Sequence, residues 1–326
     1  MKKLFVLIVL TIALVSCYKD YVQDFDYSAV YFPLQYDVRT VVVGEGMNGI
    51  EIGLTLSGVI DNTRDRNVSY MLNNALITPA LLTTMKASTL PYIKDAATPV
   101  TALLPLRAAY YTLSNTSSIV IKNGNHSGSV SLRLDSAAFL SDPATINATY
   151  VLPFYITEAD ADTILKSKRS LVVGIKYENM LFGNYLHGGV TTVKNSSGAV
   201  INTIRYNTYL AQPDNKIWKL YTTAPNKVVS NGYSDVTSTT KKEIELTING
   251  SAITIASAVG STNSYLANGT CTFNNAKLLQ DRKIFLNYSY VAGANTNYCQ
   301  DTLTFRNRIR DGVNEWQDEN AAHYSN

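Results

Sequence analysis

Acidic residues beside an aromatic ring are the first candidates for chemistry in this 326-residue chain. A glycosidase needs two carboxylates across a cleft, about 5 to 5.5 Å apart for retention or about 6.5 to 9.5 Å apart for inversion. Asp311 and Glu315 lie next to Trp316 and could form a sugar subsite. The alternative, which we prefer, is that this terminal segment packs and pairs its own arginines, which are Arg306, Arg308 and Arg310. Trp316→Ala should then mainly destabilise the fold, by about 3 to 5 kcal/mol if the ring is buried.

The other acidic groups favour ordinary roles. Glu243 and Glu245 alternate onto one face of a predicted strand, which is typical of surface charge. Glu158, Asp160 and Asp162 read as a solvated loop, because a calcium loop needs more oxygen ligands and usually a glycine. Metal catalysis has no support, since the histidines are scattered singly at His126, His187 and His323. The chain also has no nucleophile elbow, phosphate loop or dinucleotide glycine pattern, so we expect no cofactor.

Aromatic residues in the second half of the chain suggest sugar binding instead. Flat rings can cover the apolar face of a pyranose while neighbouring polar groups bond its hydroxyls. We place a candidate glycan site at the loops around Trp218, with Tyr221, Tyr233 and Asn231 as supporting groups. Trp218 follows the polar turn 212–216, so we predict an accessible ring at a rim, and Trp218→Ala should weaken binding with folding preserved. For each of these rings taken singly, a place in the core or on a strand surface is the favoured alternative. Tyr206 and Tyr209 have opposite parity, so one of them should face the core.

The first sixteen residues have the layout of a secretory signal. Two lysines precede an apolar stretch from Leu4 to Val15, which is shorter than the roughly 20 apolar residues of a transmembrane helix. The stretch ends in LVSC, which resembles the bacterial lipobox, where the cysteine is acylated and becomes the first mature residue. The resemblance implies lipid attachment at Cys17 and a membrane-anchored protein; the alternative is a structural cysteine or a plain cleavage site. The charged residues after Cys17 resemble a short export signal of Bacteroidetes surface lipoproteins, which implies the outer membrane and its exterior face.

Charge and composition point away from nucleic acid and towards a β-rich exported protein. The net charge is +3 and includes Lys2 and Lys3 of the leader, so no basic excess marks a nucleic-acid binder. Charged residues make up only 16%, and tyrosine is unusually abundant at 22 residues. Such a composition suits an extracellular protein built from strands.

Besides Cys17 the chain has two cysteines. Cys271 shares parity with Phe273, and Cys299 shares parity with Leu303 and Phe305, so both should point into one core. An exported protein could bridge them by a disulfide, and two free buried thiols are the alternative.

Period-two alternation of apolar residues dominates the chain and predicts an all-β protein. The clearest case is residues 50–56, and similar strands are predicted at 29–38, 130–134, 150–156 and 171–177. Residues 78–88 could form a short helix. We predict an immunoglobulin-like antiparallel β-sandwich over residues 27–179, preceded by a signal peptide at 1–16 and an anchor linker at 17–26.

The remaining residues, 180–326, predict an antiparallel β-barrel of about eight strands. Asn249-Gly250 separates two alternating runs and predicts a hairpin with a type I′ turn. The other predicted strands lie at 203–210, 217–222, 270–273, 284–291 and 299–305.

Several segments resemble one group of Bacteroidetes surface lipoproteins. The first-domain segments are AVYF at 29–32, YTLS at 111–114, GSV at 128–130, and YVLP at 150–153 followed by Ile156-Thr157. The ending DTLTFRNRIRDGVNEWQDEN at 301–320 resembles the close of the second domain. Both domains are of unknown function; the first also precedes endo-β-N-acetylglucosaminidase domains, and members tend to be encoded in polysaccharide-utilisation loci. The resemblance implies a glycan-handling surface protein with a sandwich followed by a lipocalin-like barrel.

The sequence as a whole predicts a non-enzymatic glycan-binding lipoprotein of the outer membrane that assists glycan capture and uptake. Its implied partners are a glycan ligand and a porin with its binding lipoprotein from the same locus, and no nucleic acid. A glycoside hydrolase of unusual fold and a structural or adhesive surface subunit are the alternatives.

Overall fold

The structure is a computed structural model, and it describes residues 27–45, 48–207, 216–233, 238–239 and 241–317. Cys17, Tyr209 and the turn residues 212–215 lie outside the described residues, so the predictions made for them stay predictions. Most described residues are in strands, and the chain is all-β as predicted.

The first half of the chain forms two β-sheets from eleven strands. The strands are β1 (Ala29–Tyr31), β2 (Tyr36–Val42), β3 (Asn48–Ser57), β4 (Arg66–Leu72), β5 (Leu104–Pro105), β6 (Tyr111–Leu113), β7 (Ser118–Ile121), β8 (Ser127–Leu134), β9 (Tyr150–Ala159), β10 (Thr163–Ile164) and β11 (Ser170–Glu178). One sheet has the order β10-β1-β3-β8-β6, and the other has the order β2-β11-β9-β4-β7, with β5 beside β9.

The two sheets pack face to face as a sandwich, because alternate residues of each sheet are apolar and enter one core. Ile52 and Val130 come from one sheet, and Val68 and Phe154 come from the other. Most neighbours are antiparallel, but β1 with β10, β2 with β11 and β5 with β9 are parallel. The strand predicted at 29–38 is divided into β1 and β2, which lie in different sheets on either side of Pro33.

Short helices cover the outer face of the second sheet. They are α1 (Pro79–Lys86) and α2 (Pro91–Ala97), and a third helix, α3 (Ser136–Leu140), follows β8. The helix predicted at 78–88 is therefore present as α1; Thr78 caps it by accepting a hydrogen bond from the backbone N–H of Leu81 at 3.1 Å. Apolar side chains of α1 and α2, such as Met85 and Ile93, pack on the sheet in a second core of this half.

The second half of the chain forms one sheet from eleven further strands. They are β12 (Gly183–Lys194), β13 (Val200–Tyr206), β14 (Ile217–Ala224), β15 (Lys227–Ser230), β16 (Ile244–Asn249), β17 (Ala252–Ser257), β18 (Tyr265–Ala267), β19 (Cys271–Phe273), β20 (Lys283–Ala292), β21 (Asn295–Arg310) and β22 (Val313–Glu315). The ladder runs β12-β14-β15-β16-β17-β19-β20-β21, and β21 pairs back with β12. These eight strands close a barrel, as the sequence predicts.

The predicted hairpin at Asn249-Gly250 is present, although its turn differs from the prediction. Asn249 pairs with Ala252, so Gly250 and Ser251 occupy the two central turn positions. Gly250 has φ of +59°, and Ser251 is not among the residues with positive φ. One positive φ, at the first central position, is the pattern of a type II′ turn rather than type I′.

A buried ion-pair cluster connects the sandwich to the closed end of the barrel. The Glu45 carboxylate accepts hydrogen bonds from Arg308 at 2.8 and 2.6 Å and lies 2.6 Å from Arg282. Both arginines are almost completely buried. Burial opposes ionisation of Glu45, but the hydrogen bonds and charges of the two arginines outweigh it, so the pKa of Glu45 is lowered.

No helix within the described ranges is both long enough and apolar enough to cross a membrane. The sandwich sheets end at Glu178 and the barrel begins at Gly183, and the division into units 27–179 and 180–326 stays a prediction about separate domains.

Candidate functional site: an aromatic pocket in the barrel

A cavity of about 210 Å³ opens at one end of the barrel. Its lining combines aromatic rings with polar side chains. The lining residues are His187, Thr191, Tyr206, Trp218, Asn231, Gly232, Tyr233, Lys242, Ile244, Asn263, Tyr265, Tyr288, Tyr290 and Cys299. The cavity lies below the roughly 300 to 1,000 Å³ of sites for drug-sized ligands, so it suits a single ring better than a chain of rings.

The alternation of β20 places the pocket at one end of the barrel. Ile284 and Leu286 point into the apolar core near the closed end, and Tyr288 and Tyr290 continue the same inward row towards the pocket. A strand that is apolar at one end and tyrosine-rich at the other therefore builds both the floor and the wall of the site.

A stack of three rings forms one side of the pocket. The His187 ring lies between Tyr206 and Trp218, with centroid distances of 4.3 and 5.0 Å and interplanar angles near 30°. Tyr233 meets His187 at 5.5 Å between centroids. Three of these residues come from β12, β13 and β14, and Tyr233 follows β15, so the stack depends on strand pairing across the barrel.

Polar contacts fix the orientation of His187. The Tyr233 hydroxyl is in close hydrogen-bond contact with His187 Nδ1, and His187 Nε2 lies 3.0 Å from Asp301 Oδ1 without the alignment of a hydrogen bond. The Tyr288 hydroxyl donates to Asp301 Oδ2 at 2.7 Å. With Tyr233 donating to Nδ1, the ring proton is assigned to Nε2, which faces the carboxylate.

Burial keeps the pocket tyrosines protonated. Desolvation raises the pKa of Tyr290 to about 12 and raises those of the other four pocket tyrosines, which are Tyr206, Tyr233, Tyr265 and Tyr288. Around neutral pH these hydroxyls are therefore neutral groups that can donate and accept hydrogen bonds.

The same pKa shift argues against Tyr233 as a nucleophile. Asp301, His187 and Tyr233 are arranged in the order of a carboxylate, an imidazole and a hydroxyl, as in a proton relay. An activated phenol would need a lowered pKa, whereas burial raises the pKa of Tyr233. The arrangement therefore positions a hydrogen-bond donor rather than a phenolate.

A second aromatic group contributes to the pocket. Tyr265 of β18 meets Tyr288 and Tyr290 at 5.8 and 5.4 Å between centroids. Its hydroxyl donates to the Lys242 carbonyl at 2.8 Å and accepts from Asn263 Nδ2 at 3.0 Å. These contacts tie the loop before β18 to the residues that precede β16.

Gly189 allows β12 and β21 to approach closely beside the pocket. It pairs with Asp301 and has φ of +121°, a conformation that residues with a side chain rarely adopt. A Cβ atom there would lie 2.1 Å from the carbonyl oxygen of Gln300. The glycine therefore allows the ladder that holds His187 beside Asp301.

The structure brings three of the four predicted glycan-binding residues to this pocket. Trp218, Asn231 and Tyr233 line it, whereas Tyr221 is not in the lining, because the even-numbered residues of β14 face the barrel interior. The predicted accessible ring of Trp218 is wrong: the side chain is only 6% exposed and packs in the barrel core. The binding roles of these residues stay predictions.

The prediction of a buried Trp316 is also wrong. Trp316 is 60% exposed, because β22 pairs with the end of β21 and leaves Trp316 outside the barrel. The preferred pairing of the terminal segment is present, since Glu315 binds Arg308 at 2.5 Å and Arg310 at 2.7 Å. Asp311 accepts from the backbone N–H of Thr40 at 3.2 Å, which joins the segment to the sandwich.

Four of the remaining acidic candidates have structural partners. Glu245 pairs with Lys227 at 2.7 Å, and Glu243 lies 3.4 Å from Lys241. In the loop, Asp160 pairs with Arg64 and Asp162 accepts from the backbone and side chain of Ser28. The described part of the chain contains no group of three or more histidine, cysteine or acidic residues that could hold a metal ion.

The two cysteines are buried and free, so the structure corresponds to two thiols and not to the possible disulfide. Both enter the barrel core, as their parity predicts. Cys271 lies on β19 and Cys299 on β21, and β20 lies between these strands. Two strand spacings separate the strands by about 10 Å, whereas a disulfide needs Cα atoms about 4.4 to 6.8 Å apart. Burial also raises the pKa of Cys299 to about 11.

Sequence reasoning missed His187 and Asp301 as site residues. His187 lies in β12, a strand that was not predicted because glycines at 183, 188 and 189 interrupt its alternation. One signal in the sequence could have found Asp301. It alternates in step with Cys299 and Leu303, so its carboxylate belongs to the same inward-facing row of β21. A buried acid on such a row is rare unless it has a partner.

The fold and the pocket define an all-β protein in which a sandwich precedes a barrel with a tyrosine-rich mouth. Residues 25–163 match a family model described as a "-like, N-terminal domain". The comparison with curated proteins finds no match.

The comparison with solved structures finds one similar fold and two more distant matches. A protein of unknown function from Bacteroides ovatus is 19% identical and covers 90% of this chain and 99% of its own, with a TM-score of 0.62. A second Bacteroides ovatus protein of unknown function is 12% identical, covering 90% and 100%, with a TM-score of 0.48. An auxiliary nutrient binding protein from Bacteroides thetaiotaomicron is 17% identical, covering 86% and 96%, with a TM-score of 0.42. The first similarity confirms, for the fold, the predicted resemblance to two-domain Bacteroides proteins.

Proposed function

We propose that the protein binds glycans without hydrolysing them, and that the barrel pocket holds one sugar ring. The observation that carries this proposal is the pocket lining itself, in which five tyrosines, His187 and Trp218 surround one small cavity. Aromatic rings provide contact area for the apolar face of a pyranose, and their hydroxyls remain available for its polar edge.

The electrostatic state of the pocket suits a ligand rich in hydroxyl groups. The raised pKa values keep the tyrosines as neutral donors and acceptors, and Asn231 and Asn263 add amide groups to the lining. Sugar hydroxyls also donate and accept, so they can replace each hydrogen bond that the pocket loses to water on binding.

Binding is favoured over hydrolysis by two features of the described pocket. Its described lining contains no carboxylate, whereas glycoside hydrolysis usually relies on two. Asp301, the nearest acid, is buried behind His187 and bonded to Tyr288.

Lipid anchoring of the mature chain is part of the same proposal. The LVSC segment ending at Cys17 supports acylation and attachment to the outer membrane, facing the exterior. In that location a glycan-binding protein would hold its ligand near a porin and binding lipoprotein of the same system.

Binding is tested with the mature protein on an array of neutral and acidic glycans, followed by calorimetric titration of any glycan that binds. Tyr233→Ala and Tyr290→Ala remove pocket rings and should each weaken binding at least tenfold, about 1.4 kcal/mol. Tyr221→Ala is the matched control, because it removes a tyrosine from β14 outside the pocket lining, and it should bind like the wild type.

The same experiments distinguish the alternatives. Release of reducing sugar from a bound glycan would support a glycoside hydrolase and reject the binding proposal. An array without any signal would favour a structural or adhesive subunit. Equal weakening by Tyr221→Ala and the two pocket variants would remove the proposed site while leaving glycan binding intact.

Anchoring is tested by Cys17→Ala in the full-length precursor. The variant should lose incorporation of labelled fatty acid and leave the membrane fraction. Normal acylation of the variant would reject Cys17 as the attachment site.

A further inference from the structure

The inward-facing row of β14 ends in a lysine at the mouth of the pocket. Leu220 and Trp218 occupy the buried positions of this row, and Lys216 is the next even-numbered residue towards the open end. The Lys216 carbonyl accepts a hydrogen bond from the His187 N–H at 3.0 Å, which continues the ladder with β12. Lys216 Nζ lies 5.6 Å from the centroid of the Tyr233 ring, so its charge lies beside a ring of the lining.

The inward-facing row of β16 ends in the same way. Leu246 and Ile244 are buried in the barrel core, and Lys242, two residues before Ile244, is exposed and lines the pocket. The Lys242 backbone is held on both sides, since its N–H donates to Asn231 Oδ1 at 2.9 Å and its carbonyl accepts from Tyr265. The two rows therefore change from apolar residues at the floor to a cation at the rim.

Neither rim lysine forms an ion pair with an acid of the described chain, in contrast to two other lysines of the barrel. Lys227 pairs with Glu245, and Lys241 pairs with Glu243. The acid behind the pocket, Asp301, is buried and already bonded to Tyr288. The described groups thus give the mouth of the pocket a positive charge.

We propose that the ligand of this pocket is an acidic sugar whose anionic group lies between Lys216 and Lys242. This inference rests on the proposed glycan binding and adds the chemical class of the ligand. The shared chemistry is a negative group on a pyranose ring, which a uronic acid supplies as carboxylate and a sulfated sugar supplies as sulfate. The ring would lie among the tyrosines, and the anion would meet the two ammonium groups at the rim.

The test is calorimetric titration of the mature protein with four probes at low ionic strength: glucose, galactose, glucuronic acid and N-acetylglucosamine 6-sulfate. We expect at least one acidic probe to bind about tenfold or more tightly than the neutral sugars, and raising the salt concentration should reduce that preference. Preference for the uronic acid or for the sulfated sugar identifies the source of the anion.

Substitution of the rim lysines tests the location of the charge. The double variant Lys216→Gln with Lys242→Gln should bind acidic and neutral sugars within about twofold of each other. Lys94→Gln removes the same charge from an exposed position on α2 and should retain the preference. Equal binding of acidic and neutral sugars by the wild type would overturn the acidic-sugar inference but not the proposed glycan binding. A preference for acidic sugars that survives the double substitution would do the same. Absence of binding to all four probes and to the glycan array would overturn the proposed function as well.

Discussion

The two tryptophans of the chain should respond to truncation in opposite ways, and the structure reverses the roles that the sequence suggests. Trp218 is 6% exposed in the barrel core, whereas Trp316 is 60% exposed beyond β22. Removing a buried tryptophan costs about 3 to 5 kcal/mol from lost apolar burial and the cavity left behind. Trp218 already borders the pocket, so part of the new space joins an existing cavity, and we expect a value near the lower limit, about 3 kcal/mol.

Trp316→Ala should change the free energy of unfolding by less than about 0.5 kcal/mol, as expected for an exposed side chain. The measurement is urea unfolding of both variants and the wild type, followed by far-UV circular dichroism, since each variant loses one of the two indole fluorophores. With an m-value of about 2 kcal/mol per molar urea, Trp218→Ala should lower the midpoint by about 1.5 M. A larger loss for Trp316→Ala than for Trp218→Ala would refute the burial argument.

Three further variants test the interior of the protein. Glu45→Gln should reduce the free energy of unfolding by about 3 to 5 kcal/mol, because it leaves the buried Arg282 without its carboxylate partner and the buried Arg308 with Glu315 alone. The pKa of Glu45 is lowered in the folded state, so its contribution to stability is present above the unfolded pKa of about 4.3 and is lost as the pH falls through the folded pKa. The stabilities of variant and wild type should therefore converge in acid. A difference in stability that stays constant into acid would contradict this. Cys271 and Cys299 should both react with a thiol reagent after denaturation without a reductant. In the native protein at pH 8, Cys299 should react slowly because its pKa is raised to about 11. A protein mass that shows one disulfide would disprove the free thiols. Gly189→Ala should destabilise the barrel by more than about 1 kcal/mol, while Gly53→Ala, where a Cβ makes ordinary contacts, should have a smaller effect on thermal unfolding.

Local alternation predicted most of the strands because each half of the chain buries one face of a sheet. The runs at 50–56, 150–156 and 284–291 all fall within strands of the structure. Alternation says which side chains share a face, so the burial of both cysteines in one core was predicted. It does not say which strands are neighbours, and the bridge between Cys271 and Cys299 fails because β20 lies between their strands.

Exposure of single aromatic residues could not be predicted in the same way. Trp218 and Trp316 both follow or precede polar residues, and their local sequences do not distinguish a ring in the barrel interior from an exposed ring. Their exposure depends on closure of the barrel, which buries the even positions of β14 and leaves Trp316 outside.

The sequence by itself determined the all-β class, the order of sandwich and barrel, the hairpin at residue 250 and the concentration of aromatic residues in the second half. Each of these follows from local periodicity, turn chemistry or composition, which neighbouring residues carry on their own. Only the tertiary structure decided that His187, Trp218, Tyr233 and Tyr290 meet in one pocket, with Asp301 buried beside His187. The physical reason is that their contacts join residues far apart in the chain, and those distances depend on strand register and barrel closure, which no local pattern specifies.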